Sequence, residues 1–435
     1  NPNGGGDGLL ETQRGVRQWF RLDNAAKLYP AISSVQWTSM FRLSFVMAEA
    51  VSPQRLEDAV NQVLPRFPAF RVRLRKGLFW YYLEEISDRF HVSQDVGHPC
   101  APLGRGENSG YLFRVKYGHR RISLEMFHAL ADGTGGLIFL KCIVAQYLRL
   151  QGIPVPCEEG ILDPRQPPEP DEVEDAYRKI PLDGVHASRR EDAAYQMPGT
   201  PDPPHTLRLI LAQMSVAEVK ARAAAYGVTI TEYLTAVMVF TLWQTQQRGH
   251  WQRRLPVKVS VPVNMRKFIP THTVRNFAFY VNVGIDPKLG TYTFEETVQL
   301  MHHAMRYGMN PKFLFASIAT NVASERNLLI RLCPLPLKNF VLSFVYHRVG
   351  ERLFTTTLTN VGAVRLPQAM AERVERAEML LGASSSYRSN CAAISLGDKL
   401  CLTFTRDIAE TDFERNVLCF LVKEGIPVRV SSNQE

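Results

Sequence analysis

No two cysteines in this sequence are spaced as CxxC, and no apolar run reaches the roughly 20 positions that a membrane-spanning helix needs. The first absence, with an odd total of 7 cysteines, excludes paired-CxxC zinc or redox motifs and argues against a disulfide framework. Cys100, Cys142, Cys157, Cys333, Cys391, Cys401 and Cys419 are expected as mostly reduced side chains, several inside apolar runs, which fits a reducing cytoplasm. The second absence leaves "YLTAVMVFTLW" (Tyr233 to Trp243) as the longest apolar candidate, and it reads as a buried helix. The start, "NPNGGGDGLLETQRG", has no cationic and apolar leader, so no secretory signal is expected there. HExxH, GxSxG and GxxxxGK[ST] are also missing, which removes zincin, nucleophile-elbow and P-loop chemistry. The glycines from Gly4 to Gly8 precede no strand–helix unit and make no nucleotide fingerprint.

What is present is a 435-residue chain, too long for one ordinary core, with 45% hydrophobic and 21% charged residues. Its 51 Lys+Arg against 42 Asp+Glu give a net charge of +9, a surplus that suits an anionic ligand. The basic residues are scattered except in "RFPAFRVRLRKG" (Arg66 to Gly77). There they alternate with apolar residues, as on the solvated face of a strand, which disfavours a nucleic-acid tract.

"MFRLSFVMAEAV" (Met40 to Val51) reads as a strand. The next segment reads as a helix with Ser52 at the N-cap and Pro53 at the first helical position. Its apolar face is Leu56, Ala59, Val60, Val63 and Leu64. A hairpin is expected across Gly77, two strands around "YGHRR", and a helix from Gly135 to Gly152. Between about Pro154 and Pro204 proline and acidic residues displace apolar ones, which predicts a linker or crossover with little to bury. Two helices follow, broken at Gly227, with Thr231 as the expected cap of the second. Strands in "RLPVKVSVPVNM" and "NFAFYVNVGID" precede helices from Thr293 to Met305 and around Phe313 to Leu332. Further strands are expected in "RLFTTTLTNVGAVRLP", "CAAISLGD" and "KLCLTFTRD", and a last helix from Glu410 to Lys423. The expected class is α+β: a first unit over 1–165, a Pro/acid-rich linker or crossover over 166–205, and a second unit over 206–435.

"LEMFHALADGTGG" (Leu124 to Gly136) places His128 and Asp132 four apart, at a strand end, between two runs that belong in a core. Loops at strand ends are where a rigid scaffold presents chemistry. A histidine there can serve as a general base near neutral pH. Asp132 would either orient the imidazole or brace its loop, and Gly133, Gly135 and Gly136 permit close approach of a ligand or another segment. Taken alone, such a histidine is more often a hydrogen-bonded structural residue. A metal-ligand pair is the other alternative, although no nearby His/Cys cluster completes a site. His302 and His303, in "QLMHHAM", read as helix packing.

"HALADG" fits HxxxDG, and four other stretches agree with it in order and spacing: "VSPQRLEDAVNQVLPRFPAFRVRL", "YGVTITEYLTAVMVFTLW", "VSVPVNMRKF" and "LTNVGAV". Together they resemble the CoA-dependent acyltransferase superfamily, which includes chloramphenicol acetyltransferases, peptide-synthetase condensation domains, BAHD acyltransferases and alcohol acetyltransferase-like proteins. The resemblance runs roughly from Met40 to Val422, and "FWYYLE" and "RNFAFYVNVGID" are most similar to bacterial alcohol acetyltransferase-like proteins. It implies two chloramphenicol acetyltransferase-like subdomains, each a mixed sheet packed with helices, with an active-site tunnel between them. It implies His128 as the catalytic base, Asp132 in a salt bridge to Arg266, and Gly133 beside the pantetheine channel. Asn264, Asn276, Thr359, Asn360 and Gly362 fall in matching segments as channel or supporting residues. Ser384, Ser385, Ser386 and Ser389 are oxyanion candidates by position only.

The implied co-substrate is acyl-CoA or a phosphopantetheine thioester, with no metal and no tightly bound cofactor. The implied partners are a small-molecule alcohol or amine acceptor and an acyl carrier protein as a second donor, with no nucleic acid, for a monomer. Two departures narrow this reading. Phe127 stands where condensation domains have a second histidine, and "LTNVGAV" lacks the aromatic of the BAHD segment. The rival from another class is a non-catalytic condensation-like module that binds a carrier protein or lipid.

Overall fold

Hairpin signals become paired strands in the computed structural model, which describes residues 19–33, 38–104, 106–181, 191–203, 206–249, 254–326, 332–345, 351–382 and 388–433. The strands of the first half are β1 (Trp19–Arg21), β2 (Met40–Met47), β3 (Val72–Lys76), β4 (Tyr81–Glu85), β5 (Ser93–Gln94), β6 (Phe113–Tyr117) and β7 (Arg121–Phe127). Those of the second half are β8 (Arg208–Ser215), β9 (Val257–Asn264), β10 (Ala278–Ile285), β11 (Thr356–Val364), β12 (Val374–Leu381), β13 (Ser389–Leu396), β14 (Lys399–Arg406) and β15 (Arg429–Ser432). They form a five-stranded sheet in the order β12-β2-β7-β6-β5 and a seven-stranded sheet in the order β10-β9-β11-β13-β14-β8-β15. The hairpin across Gly77 joins β1 in a small sheet, β1-β4-β3.

Helix α1 (Tyr29–Ile32) precedes β2, and α2 (Pro53–Val63) and α3 (Gly133–Arg149) pack on each other beside the five-stranded sheet. Pro53 opens α2 and Leu56, Ala59, Val60 and Val63 are its buried face; Ser52 holds the cap position without a side-chain cap bond. In the second half, α4 (Val216–Ala225), α5 (Ile230–Arg248), α6 (Phe294–Gly308) and α7 (Pro311–Arg326) follow. The apolar stretch Tyr233 to Trp243 is the buried middle of α5. Among the described residues no single helix is long and apolar enough to cross a membrane.

Three expectations need correction. The cap of α5 is Thr229, not Thr231: Thr229 Oγ1 accepts from Glu232 N and Glu232 Oε2 accepts from Thr229 N, a closed capping box. The break at Gly227 is shorter than expected, so Thr231 already lies in the first turn. The stretch from 166 to 205 has more to bury than its composition suggests. Ala176, Tyr177, Ile180, Ala194 and Tyr195 are buried in it, and Glu172 forms a buried ion pair with Arg66. It is an anchored crossover. Finally, a second unit running unbroken from 206 to 435 does not describe the sheets, because β12 pairs with β2 along Val374–Leu381. The five-stranded sheet is completed by a strand from the far half of the chain.

Candidate active site

β7 ends at Phe127, paired with Met40 of β2, and the next residue turns out of the sheet. The His128 amide donates to the Ser39 carbonyl at 2.9 Å, so the backbone is tied down on both sides of the imidazole. The ring stacks on Tyr29 at the start of α1, with centroids 4.5 Å apart and planes 22° apart. The Phe41 ring meets it edge-on at 5.3 Å. Neither aromatic ring leaves the imidazole free to swing.

Asn276, just before β10, makes two contacts to this residue. Its Nδ2 donates to the His128 carbonyl at 2.9 Å, and its Oδ1 lies 3.1 Å from His128 Nδ1. Nδ2 also donates to Asp23 Oδ2 at 3.2 Å. An amide nitrogen can only donate, so Oδ1 is the acceptor and His128 Nδ1 carries the ring proton. Nε2 then bears the lone pair, and no described residue donates a hydrogen bond to it. Burial lowers the His128 pKa from its usual 6.5, partly opposed by the Asp132 charge. That shift favours the neutral imidazole.

Asp132 does not touch the imidazole. Its Oδ1 accepts from Gly135 N at 3.0 Å and caps α3. Its Oδ2 accepts from Arg266 Nη1 at 2.7 Å and from Phe277 N at 2.8 Å. Arg266 is itself fixed by the carbonyls of Thr273 (3.0 Å) and Arg275 (2.6 Å) and by Asn264 Oδ1 (3.3 Å). Asn264 Nδ2 donates back to Thr134 Oγ1 at 3.2 Å. The aspartate is therefore a brace. It joins the loop after β7 to the turn between β9 and β10, and so links the two large sheets.

The glycines serve close backbone contacts. A Cβ at Gly135 would fall 1.8 Å from the Val274 carbonyl oxygen, and one at Gly136 would fall 2.9 Å from Phe41 Cε2. Gly133 has ordinary clearance, 3.4 Å to Val361 Cγ2 and 3.5 Å to Met379 Cε. Val361 is delivered by an irregularity in β11, where the register slips between Asn360 and Gly362 and Gly362 adopts φ 87°. Asn360 Oδ1 accepts from Gly362 N at 2.8 Å and its Nδ2 donates to Thr231 Oγ1 at 2.9 Å, so both residues shape this bulge. Thr359 pairs with Ala392 in β13.

Ser384, Ser385 and Ser386 lie outside the described residues. Ser389 is buried at the start of β13, where its carbonyl accepts from Thr356 Oγ1 at 2.6 Å; no contact joins it to His128. His302 and His303 sit on α6, with His302 Nδ1 3.3 Å from Glu232 Oε1 on α5. Glu169, Asp171 and His272 place their potential ligand atoms within 4.8 Å of one another, with none of them touching the imidazole. Sequence reasoning missed Asp23, Tyr29 and Phe41. Asp23 and Tyr29 lie in "RLDNAAKLYP", which carries no motif, and Phe41 read only as a strand residue.

A family model described as alcohol acetyltransferase matches residues 175–310, and no curated protein matches the chain in sequence. Among solved structures, the chain is similar to polyketide synthase associated protein 5 from Mycobacterium tuberculosis, with 15% identity and a TM-score of 0.62. That match covers 92% of this chain and 96% of the other. It is similar to trichothecene 15-O-acetyltransferase from Fusarium sporotrichioides, with 11% identity, a TM-score of 0.59, and 94% and 95% covered. It is also similar to the starter condensation domain of rhizomide synthetase in complex with C8-CoA, with 15% identity, a TM-score of 0.58, and 94% of each chain covered. The fold is thus the two-subdomain α+β architecture of these solved structures, the architecture that the sequence resemblance implied.

Proposed function

We propose that this protein is an acyltransferase that moves an acyl group from a thioester, acyl-CoA or an acyl carrier protein, to an alcohol or amine by direct transfer. The observation that carries the reading is the Asn276 amide, which holds the ring proton on His128 Nδ1 and leaves the Nε2 lone pair without a donor among the described residues. Nε2 takes the proton from the acceptor hydroxyl as its oxygen bonds to the thioester carbonyl carbon. The tetrahedral adduct then collapses, the carbon–sulfur bond breaks, and the thiolate takes the proton from Nε2. No bond to the protein forms at any step. The Nδ1–H bond to Asn276 and the nearby Asp132 charge favour the transient imidazolium. Such a base contributes about 10²–10⁴-fold, and holding both substrates in line contributes up to about 7–11 kcal/mol.

On this reading the donor reaches His128 between the two halves; Gly133 lies beside it in van der Waals reach of Val361 and Met379, which leaves room there for a methyl and no more. A CoA donor is supported by the C8-CoA complex of a similar fold, and an alcohol acceptor by the alcohol acetyltransferase description and the 15-O-acetyltransferase likeness. Phe127, in place of a second histidine, is buried in the core and offers no second base.

The test is thiol release from acyl-CoA across a panel of alcohols and amines, for the wild type and His128→Ala. The variant should lose at least about 10²-fold in rate while remaining folded, with its melt lowered by the loss of a packed, stacked ring. Undiminished turnover in His128→Ala would remove the mechanism. No turnover by the wild type with any CoA or carrier thioester would leave the non-catalytic binding module in its place.

A further inference from the structure

The chemistry above needs one tautomer of His128, and nothing inside HxxxDG supplies it. We propose that Asp23 is a positioning residue: it locks the rotamer of the Asn276 amide, and through that amide the proton of His128 on Nδ1. The inference rests on the general-base reading of His128, but its principal readout does not.

A side-chain amide can rotate by half a turn and exchange its oxygen for its nitrogen. After such a flip, Asn276 would donate to a bare Nδ1, the ring proton would move to Nε2, and the lone pair would point away from the substrates. Two acceptors oppose the flip by demanding a donor at Nδ2: the His128 carbonyl at 2.9 Å and the Asp23 carboxylate at 3.2 Å. The carboxylate is the stronger of the two, because a charge-assisted hydrogen bond exceeds a neutral one in a buried setting. Asp23 and Asn276 are both sequestered from solvent, so water cannot satisfy a flipped amide.

Asp23 is built into place independently of the motif. Its Oδ1 accepts from Ala26 N at 2.7 Å, which closes the turn that leads to Tyr29. The Arg275 guanidinium lies 3.7 Å from Oδ2 and donates to the Arg21 carbonyl at 2.5 Å, which fastens both sides of the turn to the segment before β10. Burial lifts the Asp23 pKa to about 6, with Arg275 opposing and Asp175 adding to the rise, while the Arg275 charge and the Ala26 and Asn276 hydrogen bonds favour the carboxylate. One short segment thus supplies both the ring stacked on the imidazole and the anion behind its amide partner.

The test is a nitrogen–proton correlation spectrum of the imidazole side chains in histidine-labelled protein, with the His128 signals assigned by their loss in H128Q. At neutral pH the wild type should show a single neutral form, protonated at Nδ1. Asp23→Asn should give a mixture or the Nε2–H form, with kcat down by about 10–10²-fold and KM within about two-fold. Asp23→Ala, which takes the anionic acceptor away from Nδ2, is read beside it in case Asp23→Asn folds poorly, and should also lose the single Nδ1–H form. Retention of the wild-type tautomer in either folded variant would overturn the assignment. Tautomers that move as expected in a protein without acyl transfer would keep the positioning role and sink the acyltransferase reading alone.

Discussion

A stacked imidazole whose pKa is lowered by burial has two pH consequences of opposite kinds. Folded His128 takes up its proton below the usual 6.5, and Asp23, raised to about 6, loses its charge in the same range, so both groups bear on the proposed base in mildly acid solution. The acid limb of kcat/KM should therefore bend below 6.5, and a limb centred above 7 would contradict the assignment. The unfolded chain binds that same proton near 6.5, so stability should fall as pH drops through that value, and H128Q should flatten the slope in denaturant titrations. At Asp132, the carboxylate shared by a guanidinium and two amides predicts that Asp132→Asn or Arg266→Ala costs about 3–5 kcal/mol, with rate lost alongside. The double variant should cost clearly less than the sum of the two, a non-additivity that chemical denaturation can measure. These two residues were legible because HxxxDG and "VNMR" are local strings. Asp23 was not, because its meaning depends on a partner 253 residues away.

Secondary-structure elements divide by how much of their environment is local. The face of α2 was readable from apolar spacing and from proline at its start, since those signals act within a turn, and α6 was expected over nearly its observed span. β8 was missed because "RLILAQMS" is half-exposed along much of its length and shows no clean alternation. β12 was missed because "VERAEMLL" gains its strand character from pairing with β2, in the other half of the chain. The start of α3 makes a sharp contrast testable by thermal melts. Gly133→Ala meets only ordinary contacts and should be neutral or add up to about 1 kcal/mol from helix propensity. Gly135→Ala drives a methyl into the Val274 carbonyl and should be severely destabilising, despite the same propensity gain. Equal melts for the two would refute the close approach of the 274 segment to α3.

As a whole, the molecule is two sheet-and-helix layers that borrow from each other. β12 crosses into the first sheet, Arg275 reaches back to Arg21, and the crossover seats Tyr177, whose hydroxyl donates to the Ala278 carbonyl at 2.6 Å. A fragment of residues 1–205 should then fail as an independent unit, leaving the β2 edge open; excess dye binding and self-association on a sizing column would show it. A compact, monomeric fragment would mean that the borrowed strand is dispensable. The same borrowing orders events on the ribosome. His128 emerges long before Asn276, which lies 148 residues later, an interval of about 7–30 s at ordinary elongation rates. A nascent chain therefore carries its motif through that interval with the ring lacking its Asn276 partner, and the imidazole meets that amide only as the second sheet begins to form.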